Sequence, residues 1–254
     1  MNSPATLDRA VRPAANGPMG GGEFVEKPGT GTSILVWNLP LRIWHWGFAA
    51  SLSGAWFLGN SFDPEGDVFK YHMPLGLLAG FFVAVRVVFG IVGSRHARWT
   101  RFFFTPWHTV RYLFDAVRFR SRAYAGINPG TSLVALGMYL AVAAVIYTGF
   151  AADYVEIWHG WLADSLLWLV GLHLAGLFVH TLGHRDWLAL SMITGRKVGD
   201  AADGLPRENW IGGWLFLGLC IALAAALYFG FDKNECVLKI PGLPPLYLPL
   251  VQKG

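Results

Sequence analysis

The sequence predicts an all-α integral membrane protein, a helical bundle of five transmembrane helices. Three observations carry this. Hydrophobic residues make up 54% of the 254 and charged residues only 14%, against roughly 25% charged in average soluble chains. Twelve Trp are more than a soluble core needs and suit the aromatic belts of a membrane interface. Five apolar stretches each approach the ~20 residues that cross a hydrocarbon core. Two Cys cannot make a disulfide framework or a four-thiolate metal site. No basic cluster alternates with aromatics, so nothing points to nucleic acid.

Residues 1–34 are rich in Gly, Pro, Ala and Ser and could bury little, so they read as a disordered tail. No apolar run follows Met1 as it would in a signal peptide. The spans are expected at Leu41–Asn60, Met73–Gly93, Thr131–Phe150, His159–Leu182 and Trp210–Phe231. A helix is required there because a span must satisfy its backbone internally. Residues 35–197 hold the first four spans, 198–231 a linker and the fifth, and 232–254 a Pro-rich tail. The tail's Pro241, Pro244, Pro245 and Pro249 favour an extended docking segment.

Arg95, Arg98, Arg101, Arg111, Arg118, Arg120 and Arg122 fill the connection after span two; Arg185, Arg196, Lys197 and Arg207 fill that after span four. The other connections carry Asp63, Glu65, Asp67, Asp153 and Glu156. The positive-inside rule then places the N-terminus and the basic loops in the cytoplasm and the C-terminal tail outside. Phe102–Phe104 and the Arg111–Arg122 stretch suggest an amphipathic helix on the inner membrane surface.

The histidines carry the chemistry. Of His45, His72, His96, His108, His159, His173, His180 and His184, six lie in or beside spans, where an unpaired polar ring is costly. Any one alone reads as a helix–helix hydrogen bond. Together they match in depth. His159 and His173 are fourteen residues apart, which puts them within about 40° of one face and about 21 Å apart along the axis. Topology pairs His72 with His159 near the outer side, and His45 with His173 nearer the inner side. Two stacked bis-His sites suit two b-type haems, and closed coordination suits electron transfer. No Cys-x-x-Cys-His occurs, which excludes covalent c-type attachment.

Arg86 lies fourteen residues after His72, so it shares that face one site deeper. It fits a propionate of the inner haem; snorkelling to headgroups is the alternative. His180 is an alternative inner ligand. A zinc site at His173, His180 and His184 lacks a supporting motif. His184 reads as an inner headgroup residue, and His96 and His108 as surface residues of the basic loop. Cys220 reads as apolar packing.

Further segments share a pattern: Val36-Trp-Asn-Leu-Pro-Leu-Arg-Ile-Trp-His-Trp46, His72-Met-Pro-Leu-Gly76, Arg86 through Gly93-Ser-Arg-His-Ala-Arg98, Asn128-Pro-Gly130, and His184-Arg-Asp through Met192-Ile-Thr-Gly-Arg-Lys197. With these the chain resembles the bacterial cytochrome b561 / nickel–iron hydrogenase cytochrome b family. The resemblance implies a four-helix haem-binding core with two haem b held by His45, His72, His159 and His173. It also implies a respiratory electron-transport subunit between a periplasmic redox protein and membrane quinone. The fifth span and both tails lie beyond that core and could serve a different partner, such as a c-type cytochrome. The rival expectations are a self-sufficient superoxide/quinone oxidoreductase and a His-lined metal or proton transporter.

Overall fold

Asparagine starts three of the five long helices. The side chains of Asn38, Asn128 and Asn209 accept from the backbone N–H of Leu41, Thr131 and Gly212, which satisfies one of the four donors a helix start leaves unpaired. Proline follows within the first two positions of the first two, where a missing N–H costs nothing.

The computed structural model describes residues 24–25, 32–121, 123–184 and 187–248. The helices are α1 (Leu39–Ser61), α2 (His72–Val92), α3 (Pro106–Val117), α4 (Pro129–Phe150), α5 (Ala152–His184), α6 (Ser191–Thr194) and α7 (Trp210–Gly230). Of these, α2, α4, α5 and α7 are long and apolar enough to cross a membrane. α1 is long enough at 23 residues, but Arg42, His45, Ser51, Ser53 and Asn60 make it less apolar. It buries Leu41, Trp44, Phe48, Ser51 and Ala55, a helical stripe that packs between α2 and α7. α5 begins seven residues before the expected span. Its 33 residues make about 50 Å, more than the ~30 Å hydrocarbon core. The charges Asp153 and Glu156 hid that first stretch from a hydropathy reading, though acidic residues favour a helix N-terminus.

α1 pairs with α2 and α4 with α5; the two hairpins meet through α2 and α4. The core between them gathers Trp44, Phe48, Phe82, Val142 and Leu166. α3 buries Tyr112 and turns Trp107, Val110, Phe114 and Val117 outward. That stripe, beside exposed Arg111 and Arg118, is the amphipathic helix expected of this loop.

At the basic end, β1 (Phe24–Val25) pairs with β3 (Ala123–Tyr124), and β2 (Thr32–Leu35) with β4 (Arg196–Gly199), both antiparallel. The tail expected to be disordered over 1–34 therefore contributes two short strands; its other residues lie outside those described. Composition hid this because the partner strands come from distant loops. The 198–231 linker also carries structure. Glu208 accepts from the Leu39 N–H (2.6 Å) and from Arg42 Nη2 (2.7 Å), closing the start of α1 against the start of α7. Glu208→Gln leaves a mostly buried Arg42 unpaired and should destabilise the detergent-solubilised protein by about 2–3 kcal/mol, measurable by thermal unfolding.

His96 and His108 are not surface residues. His96 is 6% exposed; its Nε2 lies 2.8 Å from the Asp203 carbonyl and its ring meets Trp37 edge-on. His108 is half-buried, with Nε2 3.1 Å from the Tyr124 hydroxyl. His96 is covered by Asp203 and Trp37, and His108 is partly covered by Phe104 and Tyr124. Burial, and then the charges of Arg95, Arg101 and Lys197, hold His96 below the ordinary histidine range, against the opposing pull of the Asp203 carbonyl. Above about pH 6.5 the ring is neutral folded or unfolded. Below that the unfolded chain takes up the proton first, so stability falls with pH until the folded ring also titrates. The protection factors of the β2–β4 amides, taken relative to the intrinsic exchange rate at each pH, should fall from about pH 6.5 downward, and His96→Asn should remove that dependence.

At the acidic end the C-terminal segment is folded rather than extended. β5 (Phe231–Asp232), β6 (Val237–Leu238) and β7 (Leu246–Tyr247) form an antiparallel sheet. Leu238 and Leu248 pack with Leu227, Phe231, Tyr71, Met73 and Leu77. Lys233 pairs with Asp67 and Lys239 with Asp232. Too short to fold alone, the segment folds on the ends of α2 and α7, which its Pro content concealed.

Candidate cofactor site

The site starts from the first residue of α2. His72 Nδ1 lies 2.7 Å from the Ala55 carbonyl of α1. Across the bundle, His159 Nδ1 lies 3.0 Å from the Val145 carbonyl of α4 and 3.2 Å from Thr148 Oγ1. Each Nδ1–H thus donates to a backbone carbonyl, which fixes the tautomer and leaves Nε2 as an electron-pair donor. Gly59 permits this: a Cβ there would sit 3.0 Å from His72 Nδ1. The two rings face each other with centroids 5.9 Å apart and planes at 71°. Two metal–imidazole bonds of about 2 Å plus the ring radii span roughly the same distance. The pair is therefore spaced to hold one metal between them.

Both rings line a cavity of about 640 Å³ between the hairpins, walled by Leu52, Ala79, Val142, Leu166 and other apolar side chains. That is far too large for a bare ion and within the range of cofactor pockets. Gly76, one turn after His72, lines it with nothing within 4 Å of where a Cβ would be. Trp56 is on the same wall, and its indole N–H is buried without an acceptor among the described residues. No cluster of three metal-ligating side chains occurs among the described residues; the His173/His180/His184 zinc reading includes a side chain, that of His184, outside them. A metal that brings its own equatorial ligands fits: a haem.

His45, near the start of α1, and His173, on α5, lie toward the basic end. Of the two pairs that depth suggested, the structure brings the rings of His72 and His159 together. His180, the alternative partner, is buried two turns further along α5. The side chain of His184 lies outside the described residues. Arg86 does not snorkel; it is 3% exposed. Its guanidinium lies over Trp99 (4.7 Å), Phe102 (5.3 Å), Trp44 (5.9 Å) and Tyr139 (5.9 Å). Sequence reasoning missed this aromatic cage, Gly59, Thr148 and Trp56. Thr148 and Gly59 gave no motif to find. Trp44 beside His45 was visible, but only folding shows it turned toward Arg86.

The comparisons with known proteins fall on this region. The family model described as prokaryotic cytochrome b561 matches residues 36–195, which contain all four histidines of the two pairs. The chain belongs to that family. The probable Ni/Fe-hydrogenase B-type cytochrome subunits of Azotobacter chroococcum mcd 1 and Azotobacter vinelandii are each 30% identical over 228 residues, covering 76% of this chain and 92% of theirs. The Ni/Fe-hydrogenase 1 B-type cytochrome subunit of Escherichia coli strain K12, likewise described as probable, is 28% identical over 144 residues, 47% of this chain and 60% of its own. No solved structure matches the chain. The family and the apolar helices make this a multi-pass membrane b-type cytochrome, a haem protein of electron transport.

Proposed function

We propose that this cytochrome carries two haem b and conducts electrons across the bacterial inner membrane between a periplasmic redox protein and the quinone pool. The observation that supports this most is the His72–His159 pair, 5.9 Å apart in an apolar cavity with both Nδ1 atoms committed to carbonyls. On this reading His72 and His159 hold one haem and His45 and His173 the other, with Arg86 as the cation that serves the second. Haem bound at these rings supplies one-electron exchange at iron without an open coordination position. The chain's own work is to orient the rings through Ala55, Val145 and Thr148, and to keep water from the cavity. The N-terminus and basic loops face the cytoplasm and the C-terminal sheet faces the periplasm, as the distribution of Arg and Lys favours. The relatives' names make a hydrogenase the first partner to test; a c-type cytochrome is the second.

The experiment is purification in detergent with its native partners, followed by a pyridine haemochrome assay. About two haem b per chain is expected. A value near one would mean that one of the two pairs holds no haem, and no Soret absorbance would sink the reading altogether.

A further inference from the structure

Arg86 is a buried cation without a counter-charge. No ion pair involves it among the described residues, and its Nη1 is buried without a hydrogen-bond partner there. Placing a guanidinium in that setting costs several kcal/mol. The four aromatic faces offset part of the cost through cation–π attraction. The cage is closely built: a Cβ on Gly90 would collide with the Trp99 indole, so only glycine on α2 lets Trp99 close over the guanidinium. Such a cage holds the charge in place without cancelling it, as a carboxylate would.

The charge also has a definite neighbour. Trp44, one wall of the cage, has its ring 6.4 Å from that of His45 and is fixed by a 2.6 Å bond from Nε1 to the Phe82 carbonyl. Arg86 lies fourteen residues along α2 from His72, about 21 Å away by rise. It therefore acts at the His45/His173 end. The cavity around His72 and His159 has a different balance: its one lining carboxylate or cation is Asp164.

Resting on the two-haem reading, we propose that Arg86 is a redox-tuning residue that raises the midpoint potential of the haem at His45/His173 above that of the haem at His72/His159. The ferrous form of a haem carries one electron more than the ferric form. A nearby positive charge in a low-dielectric interior stabilises that electron, and local charge and burial are levers on haem potential. The charge, rather than the shape of the side chain, does the work.

The test is a spectroelectrochemical titration of the purified, haem-loaded protein. Wild type must first resolve two components, the higher of which disappears in His45→Ala. A single haem would end the two-haem reading itself. In Arg86→Gln, the higher component should fall by at least the ~59 mV of a tenfold change in the one-electron ratio, with the lower component unmoved. Arg86→Lys should stay near wild type at neutral pH. Its higher component should then drop as the amine loses its proton between pH 6 and about 10, a pH dependence wild type lacks. Arg86→Gln with both haems bound and wild-type potentials would overturn the proposal. If Arg86→Gln sheds haem, the lysine variant decides, and a potential independent of pH across that range would overturn it equally.

Discussion

His72→Ala and His159→Ala should each leave about one haem per chain, and the same haem should survive in both. The argument is geometric. The two rings converge on one cavity from α2 and α5, and no further histidine lines it among the described residues. An alanine at either position removes one of the two rings that would hold a haem there, and the walls that remain are mostly apolar. Haem content should fall from about two to about one, read by pyridine haemochrome. His45→Ala and His173→Ala should remove the other component. The residues behind the ligands sharpen the test. A Cβ on Gly59 would already approach His72 Nδ1 to 3.0 Å, so Gly59→Val crowds the ring out of its place and should weaken the same haem as His72→Ala. Loss of one spectral component by both His72→Ala and His45→Ala would show that the pairs are wrongly drawn. Loss in His180→Ala with retention in His173→Ala would make His180 the ligand.

The helices and the meeting of His72 with His159 were legible because each rests on a periodic signal. A span shows as an apolar run, and fourteen-residue spacing on one helix fixes both face and depth. What the sequence hid are features that need two distant segments at once. Thr32–Leu35 looks like tail until Arg196–Gly199 is placed beside it. His96 looks like a loop residue until Asp203 and Trp37 cover it. Arg86 announced itself as an intramembrane cation, yet Trp99 and Phe102 belong to the loop after α2 and Tyr139 to α4. No local pattern links them. The same holds for the C-terminal segment, whose prolines spoke for an extended chain while its Val, Leu and Ile residues had a surface to fold on.

That segment gives the second large effect. Truncation after Phe231 removes β6, β7 and Leu248, and with them the cover over one end of the cofactor cavity. Leu248 is 5% exposed and lines the cavity that holds His72 and His159. Its backbone N–H donates to the Cys236 carbonyl at 2.9 Å, which ties it to the turn before β6. Val237, Leu238 and Leu248 are each at least 95% buried, and burial of such side chains contributes about 2 kcal/mol apiece. Tyr71, packed on the cluster that includes Leu238 and Leu248, would lose part of its cover one residue from His72. The truncated chain should therefore bind the haem at His72/His159 less firmly and expose it to water, while the haem at His45/His173 stays. Two measurements check this: haem retained per chain after gel filtration, and the rate at which a soluble anionic reductant reduces each component. The narrower variant Leu248→Ser should quicken reduction of the first haem without removing the sheet. If truncation leaves both haems and both rates unchanged but slows electron exchange with the native partner, the segment is a docking element and not a cover. The structure favours the cover, because a docking segment has no need to send a leucine into the cavity.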